Sequence, residues 1–170
     1  LQIFETDHLL VREFSLSDTD SFFTINGNDQ VMRYIRPPKS RHESDIFLLE
    51  NIKHYKERPG TGRWAVAEKT SGAIIGMFSI LPMSRDAGKL HIGYALLPSY
   101  WGRGYATLLL KKGTAYFFQH HGDSVLYAIT HEENIASEKV LIKCGFSLAG
   151  QHDPNEHLWK FEMRLIASGY

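Results

Sequence analysis

Between Trp101 and Thr107 the chain reads Trp-Gly-Arg-Gly-Tyr-Ala-Thr, two glycines and two small residues just ahead of an apolar run at Leu108-Leu109-Leu110. Residues of this kind suit an oxyanion. Glycine lets the backbone turn and approach a ligand with no Cβ in the way. The N–H groups of a first helical turn have no intrahelical acceptor, and the helix dipole favours negative charge there. A strand-like run from Leu90 to Leu97 and a break at Pro98-Ser99-Tyr100 lead into the segment. No lysine follows as in a phosphate-binding P-loop, and the spacing is not Gly-x-Gly-x-x-Gly, so both common nucleotide-fold readings are disfavoured. Taken alone, such a loop serves equally well as a plain helix cap.

Other residues with chemical potential lie on either side. Strand alternation sets His91 on the face opposite Leu90, Ile92 and Tyr94. A histidine there titrates in a range useful to a general base, or is simply a half-exposed strand residue. Asn134 heads a helical stretch as its N-cap, with Ser137 in the first turn. Among nine histidines, no His-Glu-x-x-His or Cys/His spacing appears, so no metal is expected. The single cysteine, Cys144, precludes an internal disulfide and reads as core packing.

Trp101-x-x-Gly104-x-Ala106 resembles motif A of the GNAT N-acetyltransferases, Gln/Arg-x-x-Gly-x-Gly/Ala. The longer string from Ile92 to Thr107 resembles the RimJ/RimL-like branch, where Trp commonly fills the first slot. Asn134-Ile135-Ala136-Ser137 followed by Gly145-Phe146 resembles motif B, Asn-x-x-Ser with Gly-Phe at a fixed distance. The resemblance implies the GNAT fold: one mixed α/β (α+β) domain over 1–170, with about four helices around a mostly antiparallel sheet. That sheet splays into a V between its fourth and fifth strands, Leu90–Leu97 and Val125–Thr130. It also implies acetyl-CoA as co-substrate and transfer of the acetyl group to a primary amine by direct attack in a ternary complex. The acceptor would be a protein or peptide N-terminal amine, a polyamine or another small amine. The alternative is a non-catalytic acyl-CoA sensor.

By the same resemblance, the N–H groups of Gly102, Arg103, Gly104, Tyr105, Ala106 and Thr107 meet the pyrophosphate. The Leu96 and Leu97 backbone pairs with the pantetheine arm, and an N–H near Ala95 or Leu96 steadies the thioester oxygen. Asn134 touches pantetheine as well as capping its helix. His91 fills a slot that holds glutamate in many relatives and is the candidate base. Many GNAT enzymes carry a tyrosine seven residues after the motif B asparagine, where this chain has Leu141, so Ser137 becomes the candidate proton donor. Arg33, Tyr34 and Arg36, between the first two helices, are candidates for the acceptor pocket. Arg33 and Arg36 would attract an acidic acceptor, or would be ordinary surface charges.

These residues need a scaffold. The 170-residue chain is 43% hydrophobic and 22% charged, ordinary for a globular domain with a substantial core. With 19 basic and 19 acidic residues the formal net charge is +0, which argues against nucleic acid or an anionic membrane as partner. No run reaches transmembrane length and no charged-then-apolar leader is visible; the expectation is a soluble, cytoplasmic monomer or homodimer. Patterning predicts strands at His8–Phe14, Trp64–Glu68, Ile74–Leu81, Lys89–Leu97, Ser124–Thr130, Phe146–Ala149 and His157–Leu165. Helices are predicted after Ser17, from about Glu43 to Lys56 with Ile46, Leu48, Leu49 and Ile52 inward, from Gly104 to His120, and from Asn134 to Lys143.

Overall fold

The computed structural model describes residues 1–166. Eight strands form one sheet: β1 (Gln2–Glu5), β2 (Leu9–Glu13), β3 (Gly62–Glu68), β4 (Ile74–Met83), β5 (Asp86–Leu96), β6 (Val125–His131), β7 (Ser147–Asp153) and β8 (Leu158–Arg164). Their order across the sheet is β1-β2-β3-β4-β5-β6-β8-β7. All neighbours are antiparallel except β5 and β6, which run parallel. A parallel neighbour requires a crossover, and α4 (Tyr105–His120) supplies it. The remaining helices are α1 (Thr19–Asn26), α2 (Asp29–Met32), α3 (Arg41–Glu57) and α5 (Ile135–Lys143).

The sheet has one weak seam. Every residue of β6 pairs with β8, yet β5 and β6 share register only at His91↔Tyr127 and Ile92↔Ala128. Beyond Ile92 the two strands part. The predicted V is therefore present, between β5 and β6 in this numbering because an N-terminal strand, β1, precedes the first predicted one.

Two cores flank the sheet. On one face α4 lays Leu109, Leu110 and Phe117 against Phe4, Trp64, Phe78 and Ile92. The helix comes close because residue 113 is glycine: a Cβ there would lie 2.3 Å from Phe78 Cζ. On the other face Phe14, Phe22, Ile25 and Met32 gather over Ala65, Met77 and Ala95 with Leu48 of α3. Arg12 ties the start of α1 to β2 through a two-pronged bond to Asp18, at 2.8 and 2.9 Å.

The inward face of α3 differs from the apolar pattern. Ile46 and Leu49 are exposed, and the buried residues are Ser44, Leu48 and Asn51. These recur at four and then three residues, a true helical stripe, but two of them are polar. Asn51 is inside because its amide and carbonyl complete the backbone of Arg63, which extends past the end of β2. Two further elements run longer than predicted. β4 and β5 leave only Ser84 and Arg85 between them where a loop to Gly88 was expected, and β7 continues through the anticipated turn as far as Asp153.

Candidate active site

The segment after β5 is a short 3₁₀ turn, Pro98–Tyr100, then two glycines with positive φ, Gly102 (72°) and Gly104 (79°). L-residues rarely adopt these angles, which is the conformational reason for glycine here. Nothing lies within 4 Å of where a Cβ would stand on either, so the concave side of the turn is open. Gly104 is the N-cap of α4, and its carbonyl accepts from the Leu108 N–H at 3.1 Å. The N–H groups of Tyr105, Ala106 and Thr107 belong to the first turn and have no intrahelical acceptor. An oxyanion cradle is thus built of backbone alone. Side chains brace it from outside: Trp101 donates its indole N–H to the Leu96 carbonyl at 2.7 Å, and the Tyr105 hydroxyl donates to Glu68 at 2.9 Å. Arg103 also turns to Glu68, at 3.8 Å, and lies over the Tyr100 ring.

From the cradle a cavity of about 910 Å³ follows the gap between β5 and β6 to the opposite face of the sheet. Gly102, Gly104 and Thr107 line one end, Tyr94, Asn134 and Ser137 the middle, and His91, Arg36 and Arg63 the other end. All the sequence-predicted residues except Leu97 and Arg103 line this one cavity. The register reassigns two backbone roles. The Leu97 N–H donates to the Ile75 carbonyl at 2.8 Å, so it is committed to β4. By strand alternation the Ala95 N–H, two residues earlier, also faces β4. Leu96 and Tyr94 turn their polar backbone toward the gap, which leaves the Leu96 N–H as a donor facing it.

Asn134 caps α5 by accepting from the Ser137 N–H at 3.2 Å. Leu141, where many relatives have tyrosine, is buried at 3% exposure and lines the cavity only as an apolar wall, with no proton to give. A different tyrosine occupies the gap. Tyr94 on β5 is half-buried beside Ser137; burial pushes its phenol up and the nearby Ser137 hydroxyl pulls it back in part. It therefore holds its proton at neutral pH and is available as a donor, alone or with Ser137. Cys144 packs behind with its thiol also pushed up by burial, the opposite of an activated nucleophile.

His91 does face the cavity, as alternation predicts. Its basicity does not match the expectation: burial, with the Arg63 and His152 charges, lowers its pKa to about 4. At neutral pH it is an uncharged imidazole and a hydrogen-bond partner, and too weak a base to draw a proton from an ordinary ammonium.

The far end of the cavity is strongly basic, lined by Arg33, Arg36 and Arg63. Arg33 is exposed at the rim, over the Tyr34 ring, and Tyr34 lies 5.3 Å from the His131 ring. Arg36 is no plain surface charge: it is half-buried, with its Nε enclosed and unpartnered. Sequence reasoning missed Arg63, which reaches the cavity from β3 opposite Ser79, itself opposite Gly93. An arginine in an otherwise apolar strand, Gly62-Arg63-Trp64-Ala65-Val66, was the available signal. Among the described residues no group of three or more His, Cys, Asp or Glu side chains is placed to hold a metal.

Comparison with known proteins agrees with this geometry. Residues 8–147 match the family model described as Acetyltransferase (GNAT) domain. The chain is 28% identical over 150 residues to the uncharacterized N-acetyltransferase YoaA of Bacillus subtilis (strain 168), covering 87% of this chain and 84% of that one. Among solved structures, a GNAT-family acetyltransferase from Bacillus anthracis superposes with a TM-score of 0.81 at 18% identity, over 96% of this chain and 98% of that one. RimL, a ribosomal L7/L12 alpha-N-protein acetyltransferase solved with coenzyme A, superposes at 0.79 and 16% identity, over 97% and 98%. The fold, the backbone cradle and the family model together make this chain an acyltransferase and a member of the GNAT family of N-acetyltransferases.

Proposed function

We propose that the protein transfers the acetyl group of acetyl-CoA to an amine of low basicity, such as an α-amine, by direct attack within a ternary complex. The observation that carries this reading is the cavity that joins the open backbone cradle on one face of the sheet to His91 on the other, through the parting of β5 and β6. Gly102 and Gly104, with no atom near their missing Cβ positions, and the free N–H groups of Tyr105, Ala106 and Thr107 fit a pyrophosphate. Bound acetyl-CoA supplies an activated thioester.

The residues of the chain then divide the remaining work. The Leu96 N–H is the donor that faces the gap, fixed by Trp101 holding the neighbouring carbonyl. Aimed at an oxygen that gathers charge, such a fixed donor is worth roughly 3–4 kcal/mol of barrier. Tyr94, protonated, and Ser137 stand where a leaving thiolate needs a proton. His91, held neutral with its pKa lowered to about 4, orients an attacking amine, and the proton that the nitrogen sheds as the amide forms passes to water at the open end of the cavity. The acceptor must therefore arrive nearly neutral. At pH 7 a peptide α-amine pays only about 1 kcal/mol to deprotonate, against roughly 4–5 for a lysine-like amine. This, and the basic acceptor end, favour an α-amine over a polyamine.

The test is thiol release from acetyl-CoA over a panel of amino acids, peptides with free N-termini, lysine-like amines and polyamines. Turnover highest on α-amines is expected. Tight CoA binding with no thiol release on any amine would replace the enzyme reading with that of an acyl-CoA sensor.

A further inference from the structure

Arg36 and Arg63 meet over a single ring. Their guanidinium carbons lie 5.1 and 4.9 Å from the centroid of Phe47, and both side chains line the acceptor end of the cavity. Among the described residues neither forms an ion pair, and no Asp or Glu lines the cavity. Arg36 has one weak partner, Asn26 Oδ1 at 3.3 Å, and a buried Nε with none. Arg63 is held by its backbone: its carbonyl accepts from Asn51 at 2.9 Å and from the Tyr55 hydroxyl, and its N–H donates to Asn51 at 3.2 Å.

Two partly desolvated cations without a counter-ion are costly: burial presses both guanidinium groups toward lower pKa, and the Arg63 charge adds to the effect on Arg36. The Phe47 ring offsets only part of that cost. Arg12 has Asp18 and Arg41 has Asp20 and Asp45, whereas Arg33 and Arg58, which are in no ion pair among the described residues, are exposed to water. Arg36 and Arg63 are both half-buried and without a carboxylate, and they stand at the end of the cavity where an acceptor would enter. Guanidinium groups are the side chains best shaped to bind planar carboxylates and phosphates.

We propose that the acceptor is a primary amine bearing a carboxylate or phosphate oxyanion, and that Arg36 and Arg63 bind that oxyanion while the amine points to His91 and the gap. The proposal rests on the acetyl-transfer reading above. The register fits it: Arg63, Ser79 and Gly93 form one row across β3, β4 and β5, with Leu81 and His91 in the next row of the same face. An oxyanion at Arg63 and an amine at His91 are thus separated by a few bonds of a small molecule or by the first residues of a peptide. The bound negative charge also cancels the Arg63 repulsion on His91, so occupancy of the anion site makes that imidazole a better partner for the amine.

The experiment uses matched acceptors: an α-amino acid, its amide, the amine lacking the carboxyl group, and an aminoalkyl phosphate of similar length. Wild type is expected to prefer the acid to its amide by at least about tenfold in kcat/KM, each rate expressed per unprotonated amine because the carboxylate makes the acid's amine the more basic, with the phosphate arm deciding which oxyanion is read. In Arg36→Gln and Arg63→Gln the acid-to-amide ratio should collapse toward one, chiefly through KM for the acid, and Arg63→Lys should restore part of it. A structural defect alone would lower both rates and leave the ratio standing. Equal use of acid and amide by wild type would overturn the proposal while leaving acetyl transfer intact. Should no amine be turned over, the transfer reading fails, and the anion site is decided by thermal shift of wild type with the N-acetylated acid against its amide. A shift with the acid alone supports the site; no difference overturns it.

Discussion

The two ends of the cavity are made of different material. At the cradle, the ligand-facing groups are backbone N–H groups, ordered by two positive-φ glycines and the start of α4, within one short segment. At the acceptor end the groups are side chains delivered by the segment after α2, by β3, β4 and β5, and by His152 of β7. A backbone site is generic and serves any ligand with the same phosphate group. A side-chain site can be rewritten residue by residue, so it is where members of one fold come to differ in substrate. CoA binding should therefore fail abruptly when the cradle backbone is disturbed, and acceptor choice should shift by degrees as side chains change.

The largest effect should come from Gly104→Val. A β-branched residue at φ 79° is strained by about 1–2 kcal/mol, and its side chain occupies the open concave face. CoA affinity should fall on the order of 100-fold, read by calorimetry. The acceptor end is untouched by this change, so an unaltered affinity would mean that the cradle is not the phosphate site. Next is Tyr94→Phe, expected to lower kcat about 100-fold if the phenol is the general acid, with CoA affinity nearly unchanged. Ser137→Ala should cost less, about tenfold. If Ser137→Ala is the more damaging of the two, the hydroxyl is the donor and Tyr94 merely packs beside it.

The same division governs what could be read from the amino-acid sequence. Cradle, crossover helix and Asn134 cap are local: each is specified by residues within a few positions of one another, and their spacing survives as a pattern. The seam between β5 and β6 was expected from the family pattern alone. Arg63 and Tyr94 were missed because their roles depend on partners far along the chain. Arg63 becomes a site residue only when Asn51 and Tyr55 of α3 complete its backbone and Phe47 receives its charge. The apolar pattern misplaced the inward face of α3 for the same reason, since Asn51 is buried for its hydrogen bonds and Ile46 and Leu49 are exposed. His91 was found by position, but its weak basicity arises first from burial and then from Arg63 and His152 across the cavity, none of which a local pattern reports.

A fourth change tests the wall behind the cradle rather than either end. Gly113→Ala puts a methyl carbon 2.3 Å from Phe78 Cζ and 3.2 Å from Ile92 Cδ1. Either α4 lifts from the sheet or Phe78 leaves its rotamer, a cost of about 1–3 kcal/mol in chemical denaturation. Because α4 carries the cradle while β5 carries Leu96, CoA affinity should weaken with it. The acid-to-amide preference, set on the opposite face, should persist. A variant as stable as wild type would mean that the helix–sheet contact is looser than this geometry.

The smallest effect is a matter of pH, and it separates His91 from the rest of the acceptor end. Its folded pKa, about 4, is below the ordinary histidine value of about 6.5, so between those values the unfolded chain binds more protons than the folded one. Stability is fully present above pH 6.5 and is lost as pH falls toward 4. At pH 5 the loss attributable to this ring is about 1–2 kcal/mol, reduced in so far as water reaches its half-exposed edge. His91→Asn should abolish that increment, and its melting temperature should fall less than that of wild type between pH 7 and pH 5. Over pH 6–9 wild-type kcat/KM should rise with deprotonation of the acceptor amine and carry no inflection near 6.5. An inflection at that value which disappears in His91→Asn would mean that the imidazole is an ordinary general base. The same inflection in kcat but not in kcat/KM would mean that the bound acceptor, by neutralising Arg63, is what raises it.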